Sequence, residues 1–348
     1  MHLSSPPPPS SPWQLFYDGV HRLRRHWYRS RAKRLPRPVI SVGNLHFGGS
    51  GKTPLTAALA AHLRDRGLAV CILSRGYGSR GRGVRVVSTG AGPLLSPMVA
   101  GDEPVLLAFE LPGVAIVVGP DRYRAGLHAF RHLQPPPAVF LLDDGFSHLG
   151  LARDLDLLAF PAADPWAGGR LLPSGRLREP LRSSSRASAV ILTGIDPEAK
   201  PGIGEALAQA LRQHGFTGPG FASVTRSGQP RLADGSLLPP GENVFLVSAV
   251  ARPEGLTDQV RRLGFEIAGE MRFPDHHRYP GASLDRIAAA FRTSGAAAVL
   301  TTAKDRVKLL GRLDLPATEI AELPIQAEPE PAFWRWLDGE IEGLLPSS

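Results

Sequence analysis

The chain has 348 residues, a formal net charge of +8 and a single cysteine, Cys71. One thiol excludes an internal disulfide framework and a multi-cysteine zinc site, and its place in an apolar run favours a buried, inert side chain. The surplus of positive charge favours an anionic partner, such as a nucleotide, a nucleic acid or an acidic lipid, without deciding between them. No run of about 18 apolar residues occurs, so no transmembrane helix is predicted. The N-terminus lacks a basic start, an apolar stretch and a small-residue cleavage site in that order, so no secretory signal is predicted.

The first 35 residues fall into two segments of different composition. Residues 1–12 are rich in Ser and Pro and are predicted to be disordered. Residues 13–35 are predicted to form an amphipathic basic helix, because apolar residues recur at three- and four-residue spacing opposite several arginines. The apolar stripe consists of Trp13, Phe16, Val20, Leu23 and Trp27. Such a helix suits a membrane interface, and the alternative interpretation is a helix that packs its stripe on the protein's own core.

A glycine-rich loop follows the first predicted strand, 39–42, and precedes a predicted helix, 54–63. The loop consists of His46, Phe47, Gly48, Gly49, Ser50, Gly51, Lys52 and Thr53. Glycines allow a tight turn, so successive N–H groups point toward phosphate oxygens at a helix N-terminus. Lys52 is placed to reach the β- and γ-phosphates, and the Thr53 hydroxyl to bind magnesium. His46 stands where the usual pattern has its first glycine, but the strand–loop–helix context favours a P-loop over a chance turn.

Two acids end a later apolar strand, 139–142. In P-loop enzymes a carboxylate at such a strand end holds magnesium, directly or through water. Asp143 and Asp144 are therefore candidate metal ligands, and the alternative interpretation is a solvated turn.

An enzyme that transfers phosphate to a hydroxyl also needs a base, and two segments offer one. Asp102 and Glu103 precede a predicted helix, and Asp275 lies beside His276 and His277. An Asp–His pair brought together by the fold would tune the base toward neutral pH. The alternative interpretations are a helix start capped by Asp102 and histidines that simply lie on the surface.

Arginines in two turns are candidates for contacts with anions. The loop 172–180 is basic and contains Arg178 and Glu179, and Arg122 follows the predicted strand 114–118. Arginine forks bind anionic oxygens well. Each arginine taken alone is equally consistent with an ordinary surface position.

Continuous apolar runs, separated by helical segments, recur along the whole chain. Further runs lie at 70–73, 155–160, 190–192, 244–247 and 298–300. Strands of this kind are covered on both faces, so the sequence predicts an α/β fold with a P-loop NTPase-like, mainly parallel sheet flanked by helices. Gly, Pro and Ser cluster between 225 and 242. We therefore expect a core domain over 36–240 and a smaller C-terminal α/β subdomain over 241–348, with a loop at 326–331.

Taken in order, these motifs resemble those of the tetraacyldisaccharide 4'-kinases (lipid A 4'-kinases) of Gram-negative bacteria. The similarity covers about residues 36–310. The matching segments are 43–44, 48–54, 74–78, 101–104, 143–146 with His148, 172–180, 273–277, and Thr302 with Lys304 and Asp305. Two positions depart from the family pattern, because Ser147 and Leu149 replace a Gln and an Arg.

The resemblance implies a specific activity and roles for the candidate residues. It implies ATP-dependent phosphorylation of the 4'-hydroxyl of a lipid-linked diglucosamine 1-phosphate, with magnesium, at the cytoplasmic face of the inner membrane. It makes Asp102 the expected general base, paired with His276, and places Arg178 and Glu179 along the active cleft. The residues that it assigns to ATP and magnesium are Lys52, Thr53, Asp143 and Asp144. A basic N-terminal segment then implies shallow contact with an anionic membrane surface rather than a membrane span.

Two other classes of function compete with a kinase. A nucleotide-controlled switch or binding protein at the membrane is the first, but the guanine-reading Asn-Lys-x-Asp pattern is absent around Lys304 and Asp305. A nucleic-acid motor is the second, and only the net charge favours it. No helicase motifs and no basic tract with interleaved aromatics occur, so no nucleic-acid partner is expected.

Overall fold

The computed structural model describes most of the chain, in two compact units. It covers Gly19, Leu23, Trp27, Tyr28 and residues 31–46, 48–198, 201–250, 253–274 and 277–345. The first unit is Met1–Thr225 together with Ala327–Ser348, and the second is Arg226–Gln326. The predicted disorder of 1–12 and most of the predicted helix over 13–35 lie outside the described residues.

The first unit alternates strands and helices. Its strands are β1 (Val39–Gly43), β2 (Val70–Ser74), β3 (Arg85–Thr89), β4 (Ala115–Val118), β5 (Val139–Asp143), β6 (Leu155–Pro161), β7 (Ala189–Ile195) and β8 (Gly220–Ser227). Its helices up to this point are α1 (Lys52–Asp65), α2 (Pro97–Ala100), α3 (Asp102–Glu110), α4 (Arg122–His132) and α5 (Ile203–Leu211). Short 3-10 turns at Ala167–Gly169, Leu181–Arg186 and Arg212–His214 complete the unit's described secondary structure before the second unit.

The second unit contains a smaller sheet. Its strands are β9 (Arg231–Leu232), β10 (Asn243–Ser248), β11 (Glu266–Arg272), β12 (Ala298–Thr302) and β13 (Ile320–Leu323), in the spatial order β11-β10-β12-β13-β9. Its helices are α6 (Pro253–Arg262), α7 (Gly281–Ser294) and α8 (Ala303–Leu309). The central pairs are parallel, and β9 pairs antiparallel with β13 at the edge.

The chain then returns to the first unit through β14 (Ile325–Pro329) and α9 (Pro331–Leu344). The His62 ring stacks on Trp334 with centroids 4.3 Å apart, and its Nε2 lies 2.8 Å from the Asp338 carboxylate. Since this C-terminal helix packs on α1, it does not belong to the smaller unit. The division therefore differs from the expected 36–240 and 241–348 at both ends, and 326–331 is largely strand rather than loop.

The topology of the first sheet places the candidate loops side by side. Within the described part of the chain, its strand order is β14-β8-β7-β6-β1-β5-β2-β4-β3. Strands β6, β1, β5, β2 and β4 are mutually parallel, so their carboxyl ends meet at one edge of the sheet. Ligands of such sheets bind outside that edge. The P-loop follows β1, Asp143 ends β5 with Asp144 directly after it, and Arg122 follows β4.

The predicted α/β fold with a mainly parallel sheet is confirmed. Every apolar run predicted as a strand lies in one, and these strands are almost wholly buried. Cys71 is buried in β2, and burial raises the pKa of its thiol, in agreement with an inert side chain. The strands that the sequence pattern missed include β3 and β11, which lie at sheet edges and are only partly buried.

The described residues of the predicted N-terminal helix are helical at Gly19, Leu23, Trp27 and Tyr28 and leave helical geometry by Ala32. Leu23 and Trp27 are exposed, so neither packs its side chain into a core.

Among the residues that the structure describes, no helix has both the length and the low polarity required to cross a bilayer.

Candidate active site

The glycine-rich loop is shaped by contacts from two strands. Gly48 and Gly51 have φ values of 110° and 69°, which favour glycine. The Asn44 amide donates a hydrogen bond of 2.7 Å to Ser50 Oγ, and the Thr193 hydroxyl donates one of 2.8 Å to the Ser50 carbonyl. A Cβ at Gly51 would lie 3.1 Å from Thr193. The loop is therefore held between the end of β1 and the end of β7.

The His46 side chain is buried at the start of this loop rather than exposed in a phosphate cradle. Its ring is buried, its Nε2 lies 2.6 Å from the Pro165 carbonyl oxygen, and the ring meets Phe160 edge-on. Burial lowers the pKa of His46 to about 4, so the imidazole is neutral at physiological pH. The position that usually carries glycine thus has an anchoring side chain, and Phe47 beside it lies outside the described residues.

Lys52 and Asp144 form the polar centre of the site. Lys52 is the first residue of α1, and its Nζ lies 3.6 Å from Asp144 Oδ1 and 3.4 Å from Ser50 Oγ. Arg178 Nη1 donates to the other Asp144 oxygen at 3.0 Å. Burial raises the pKa of Asp144, but Lys52 and Arg178 outweigh it and hold that pKa below its usual value. Asp144 is therefore ionised, with a φ of 53° that is strained for a non-glycine residue.

Asp143 has a different environment from its neighbour. It is the last residue of β5, its side chain is buried, and the Thr56 hydroxyl lies 3.5 Å from its Oδ1. Burial, and then the nearby charges of Glu103 and Asp144, raise the pKa of Asp143 to about 7. An ionised carboxylate here is costly unless a cation binds beside it.

Asp143→Asn is expected to stabilise the metal-free protein by about 2 kcal/mol at pH 8, because the amide removes a charge whose folded pKa is raised. In the wild type, stability from this group is present below pH 4 and is lost as pH rises to about 7. The difference in unfolding free energy should therefore grow over that range. Urea unfolding in EDTA at several pH values measures it.

Asp285→Asn is the control, because Asp285 is exposed on α7. A pH-independent difference between wild type and Asp143→Asn would contradict the assigned environment of Asp143.

Arg122 supplies a second buried cation near these acids. It is 6% exposed, and its Nη1 donates to the Pro120 carbonyl at 3.2 Å. Burial and the neighbouring Arg75 lower the pKa of Arg122 to about 10, while Asp144 and Asp143 oppose them. Its buried Nε finds no hydrogen-bond acceptor among the described residues. An anionic ligand at this edge of the sheet would provide one.

The N-terminal turn of α3 brings the predicted base segment to the same region. Gly101, with a φ of 98°, occupies the N-cap position, and no side chain caps the helix. Asp102 is thus the first helical residue, so the alternative interpretation of Asp102 as an N-cap is wrong. The charge of Glu103 raises the pKa of Asp143, which places this turn within electrostatic reach of the β5 acids.

Glu179, which the resemblance places along the active cleft, is buried beside the turn that follows Asp144. It is only 2% exposed and accepts hydrogen bonds from Ser147 Oγ at 2.7 Å and Arg186 Nη2 at 2.8 Å. The Arg186 guanidinium also lies 4.2 Å from the centre of the Phe146 ring. Ser147, a departure from the family pattern, therefore makes a specific contact. Its cluster with Glu179 and Arg186 fixes the turn that follows Asp144.

Glu179→Leu is expected to lower the free energy of unfolding by about 3 kcal/mol, because it removes the buried carboxylate that pairs with the half-buried Arg186 guanidinium. Ser147→Ala should cost about 1 kcal/mol, the value of one hydrogen bond. Urea unfolding measures both. Arg34→Met, which breaks the exposed ion pair with Asp154, is the control and should cost about 1 kcal/mol or less. A similar cost for Glu179→Leu and the control would refute the anchoring role.

In the second unit, the described part of the 273–277 segment is anchored by a buried ion pair. Lys308 Nζ lies 3.2 Å from Asp305 Oδ1 and donates to the His277 carbonyl at 3.2 Å. Asp305 also accepts from the Ala249 N–H at 2.8 Å and from Thr302 Oγ1 at 3.0 Å. The sequence pattern included Asp305 and Thr302 without a role. His276 and Asp275 lie outside the described residues, so the pairing of His276 with Asp102 stays a prediction.

The oxygen donors of the first unit fit a magnesium ion. Mg²⁺ prefers carboxylate and hydroxyl oxygens, keeps several waters and shares phosphate oxygens of its substrate. Asp143 ends β5, Asp144 directly follows it, and Thr53 lies in the first turn of α1. No cluster of three or more His, Cys, Asp or Glu suited to a metal occurs within the described ranges. A site that binds magnesium jointly with a nucleotide does not need one.

Comparison with known proteins agrees with this geometry. The model of the family described as tetraacyldisaccharide-1-P 4'-kinase (LpxK) matches residues 10–342. The chain is 40% identical over 313 residues to the tetraacyldisaccharide 4'-kinase of Pelobacter propionicus, covering 86% of this chain and 82% of the relative. It is 43% identical over 286 residues to that of Anaeromyxobacter dehalogenans, covering 80% and 74%. The crystal structure of LpxK from Aquifex aeolicus in complex with ATP aligns with a TM-score of 0.76 and 33% identity, covering 96% and 98% of the two chains.

Proposed function

Because this chain belongs to the tetraacyldisaccharide-1-P 4'-kinase family, we propose that it phosphorylates the 4'-hydroxyl of a lipid-linked diglucosamine 1-phosphate with ATP. One observation carries the proposal. Lys52, Asp144 and Arg122 lie near a P-loop, at the edge of the sheet where β5 ends at Asp143. This is the combination of cations and metal-binding oxygens that phosphoryl transfer requires.

In the proposed reaction the 4'-hydroxyl oxygen attacks the γ-phosphorus of ATP. A P–O bond forms to the sugar, the bond between the γ-phosphorus and the bridging oxygen breaks, and ADP leaves. Asp102 accepts the hydroxyl proton. The backbone N–H groups of the P-loop, Lys52 and Arg122 stabilise negative charge on the phosphates.

Magnesium would be held by Thr53, Asp143 and Asp144, and when bound it would neutralise charge on the β- and γ-phosphates. Arg178 holds Asp144 in place from the side opposite Lys52. Glu179 acts one step further out, through Ser147 and Arg186. The proposed roles thus range from residues that bind the phosphates or the metal to residues that hold the metal-binding turn in place.

We place the enzyme peripherally at the cytoplasmic face of the inner membrane, in contact with an anionic leaflet. A lipid acceptor requires access to a bilayer, and the net charge of +8 favours acidic lipids. Exposed Leu23 and Trp27 in the basic N-terminal segment are consistent with interfacial contact.

The direct test is transfer of label from [γ-³²P]ATP to a purified tetraacyldisaccharide 1-phosphate dispersed in detergent. We expect a labelled lipid that requires Mg²⁺ and forms faster with ATP than with GTP. Nucleotide hydrolysis without any label on the lipid would instead favour a nucleotide-controlled switch. Stimulation of hydrolysis by nucleic acid would favour a motor.

A further inference from the structure

Two exposed segments of the first unit, the loop 75–83 and the segment 94–100 that ends in α2, lie against each other and expose one combined surface. The Arg80 N–H donates to the Met98 carbonyl at 2.9 Å. The backbones approach so closely that a Cβ at Gly81 would lie 2.7 Å from the Val99 carbonyl oxygen. A Cβ at Gly101 would lie 2.9 Å from the Tyr77 carbonyl oxygen. We call this surface the docking face.

The docking face combines large apolar side chains with cations. Its exposed apolar residues are Tyr77 (71% exposed), Leu94 (61%), Met98 (58%) and Val99 (36%). Arg75, Arg80 and Arg82, on the loop 75–83, are exposed as well. Scattered single hydrophobic residues on a surface are unremarkable, but several on one small surface mark a site of interaction. A partner for this face must accept apolar side chains and carry negative charge.

We propose that the docking face contacts the surface of an anionic lipid bilayer. The head-group region of such a bilayer is negatively charged and admits apolar side chains to a shallow depth, so it complements both features of the face. A protein partner would need an acidic and apolar surface of matching shape, and nothing on this chain selects one.

The docking face lies next to the proposed active site, so its contact with the bilayer would bring that site to the lipid substrate. This part of the inference rests on the proposed function. Gly101 directly follows the face and is itself followed by Asp102, the expected base. Arg75, on the other side, is close enough to Arg122 to lower its pKa. A bilayer seated on this face would therefore lie beside the groups that receive the lipid's hydroxyl. The face adds a second membrane contact to that of the N-terminal segment and orients the site toward the lipid.

Binding of the full chain to sedimented vesicles tests this surface without any kinase substrate. Vesicles of phosphatidylglycerol and phosphatidylcholine are compared with phosphatidylcholine alone. Each basic residue near an anionic leaflet strengthens binding about fivefold, so Arg80→Gln/Arg82→Gln should weaken binding about 30-fold. Met98→Asp should weaken vesicle binding about tenfold or more, since it removes an apolar side chain from the bilayer contact and adds a negative charge that the anionic lipids repel. Arg75 is left intact because its charge reaches Arg122.

Matched controls come from the second unit. Arg261→Gln/Arg262→Gln removes two exposed arginines of α6, and Leu237→Asp changes a side chain that is 50% exposed. Both should bind vesicles as the wild type does. Thermal unfolding of every variant checks that the fold is retained.

The outcomes separate docking from catalysis. If the docking-face variants bind anionic vesicles like the controls, the proposal is wrong. If they bind normally but lose a self-association seen by analytical ultracentrifugation, the face is a protein interface instead. If the variants bind vesicles weakly while the wild type transfers no phosphate, docking stands and the proposed function fails. If the docking proposal and the proposed function are both correct, the docking-face variants have a raised KM for acceptor in vesicles, in step with their loss of binding. Their kcat on detergent-dispersed acceptor stays near that of the wild type.

Discussion

Asp102→Asn is expected to reduce kcat by about 10³-fold, because a positioned general base contributes roughly 10²–10⁴-fold and an amide cannot take the proton. The substitution preserves size and the start of α3, where Gly101 rather than Asp102 is the N-cap. The KM for ATP should change by about threefold or less, since the base acts on the acceptor hydroxyl and not on the nucleotide. Steady-state kinetics with a saturating lipid acceptor measures both constants.

Glu103→Gln is the control for this prediction, because it makes the same chemical change one residue further along the same turn. Glu103 acts on Asp143 through its charge, so an effect of about tenfold or less on kcat is expected. Calorimetric titration with ATP should show that Asp102→Asn still binds nucleotide. If Asp102→Asn and Glu103→Gln lower kcat equally, Asp102 is not the base.

The predicted partnership of Asp102 with His276 can be tested by the same kinetics. Residues that act as one unit show strongly non-additive losses. If His276 works by tuning Asp102, adding His276→Ala to Asp102→Asn should lower kcat by about twofold or less beyond the single variant. If the fold reduction of kcat in the double variant equals the product of the reductions in the two single variants, the two side chains act independently.

Strands that are buried on both faces of a sheet were predictable from the sequence, and partly exposed strands were less so. Strands β1, β2, β5 and β12 are buried on both faces, so their sequences are continuous apolar runs. Edge strands such as β11 are partly exposed and mix Glu, Gly and Arg with apolar residues, which hides them from the same criterion. The return of β14 and α9 to the first unit depends on contacts such as His62 with Trp334. No local sequence pattern predicts that α9 packs on α1, because the two helices are far apart in the sequence.

The residues of the candidate site likewise fall into those that the sequence predicted and those that it did not. The P-loop, Asp143 and Asp144 were recognisable because their function demands a fixed residue type directly after a strand. The anchoring of Glu179 was not, since Arg186 comes from a separate 3-10 turn and Ser147 from the turn after β5. The contrast between Asp143 and Asp144 was also hidden, because it arises from burial and from Lys52 and Arg178 rather than from the two acids themselves. Tertiary surroundings, not sequence neighbours, decide these properties.

Lys52→Ala is expected to lower kcat/KM for ATP by about 10²–10³-fold, the loss typical of removing one donor to a charged transition state. Its ammonium group lies beside Ser50 of the P-loop and Asp144 of the metal-binding turn. A cation placed between these two elements can contact phosphate oxygens while it remains near the metal ligands. The measurement is steady-state kinetics over a range of ATP concentrations, together with direct nucleotide binding.

Lys52→Arg separates charge from geometry in the same position. A guanidinium keeps the positive charge but is planar and bulkier than a compact ammonium, so most of the loss in kcat/KM should persist while Asp144 keeps a cationic partner. The unfolding free energy of Lys52→Arg should then lie closer to that of the wild type than that of Lys52→Ala does. If Lys52→Ala binds and turns over ATP like the wild type, the loop after β1 does not hold the triphosphate. The roles proposed for Asp143, Asp144 and Arg122 would lose their common ligand with it.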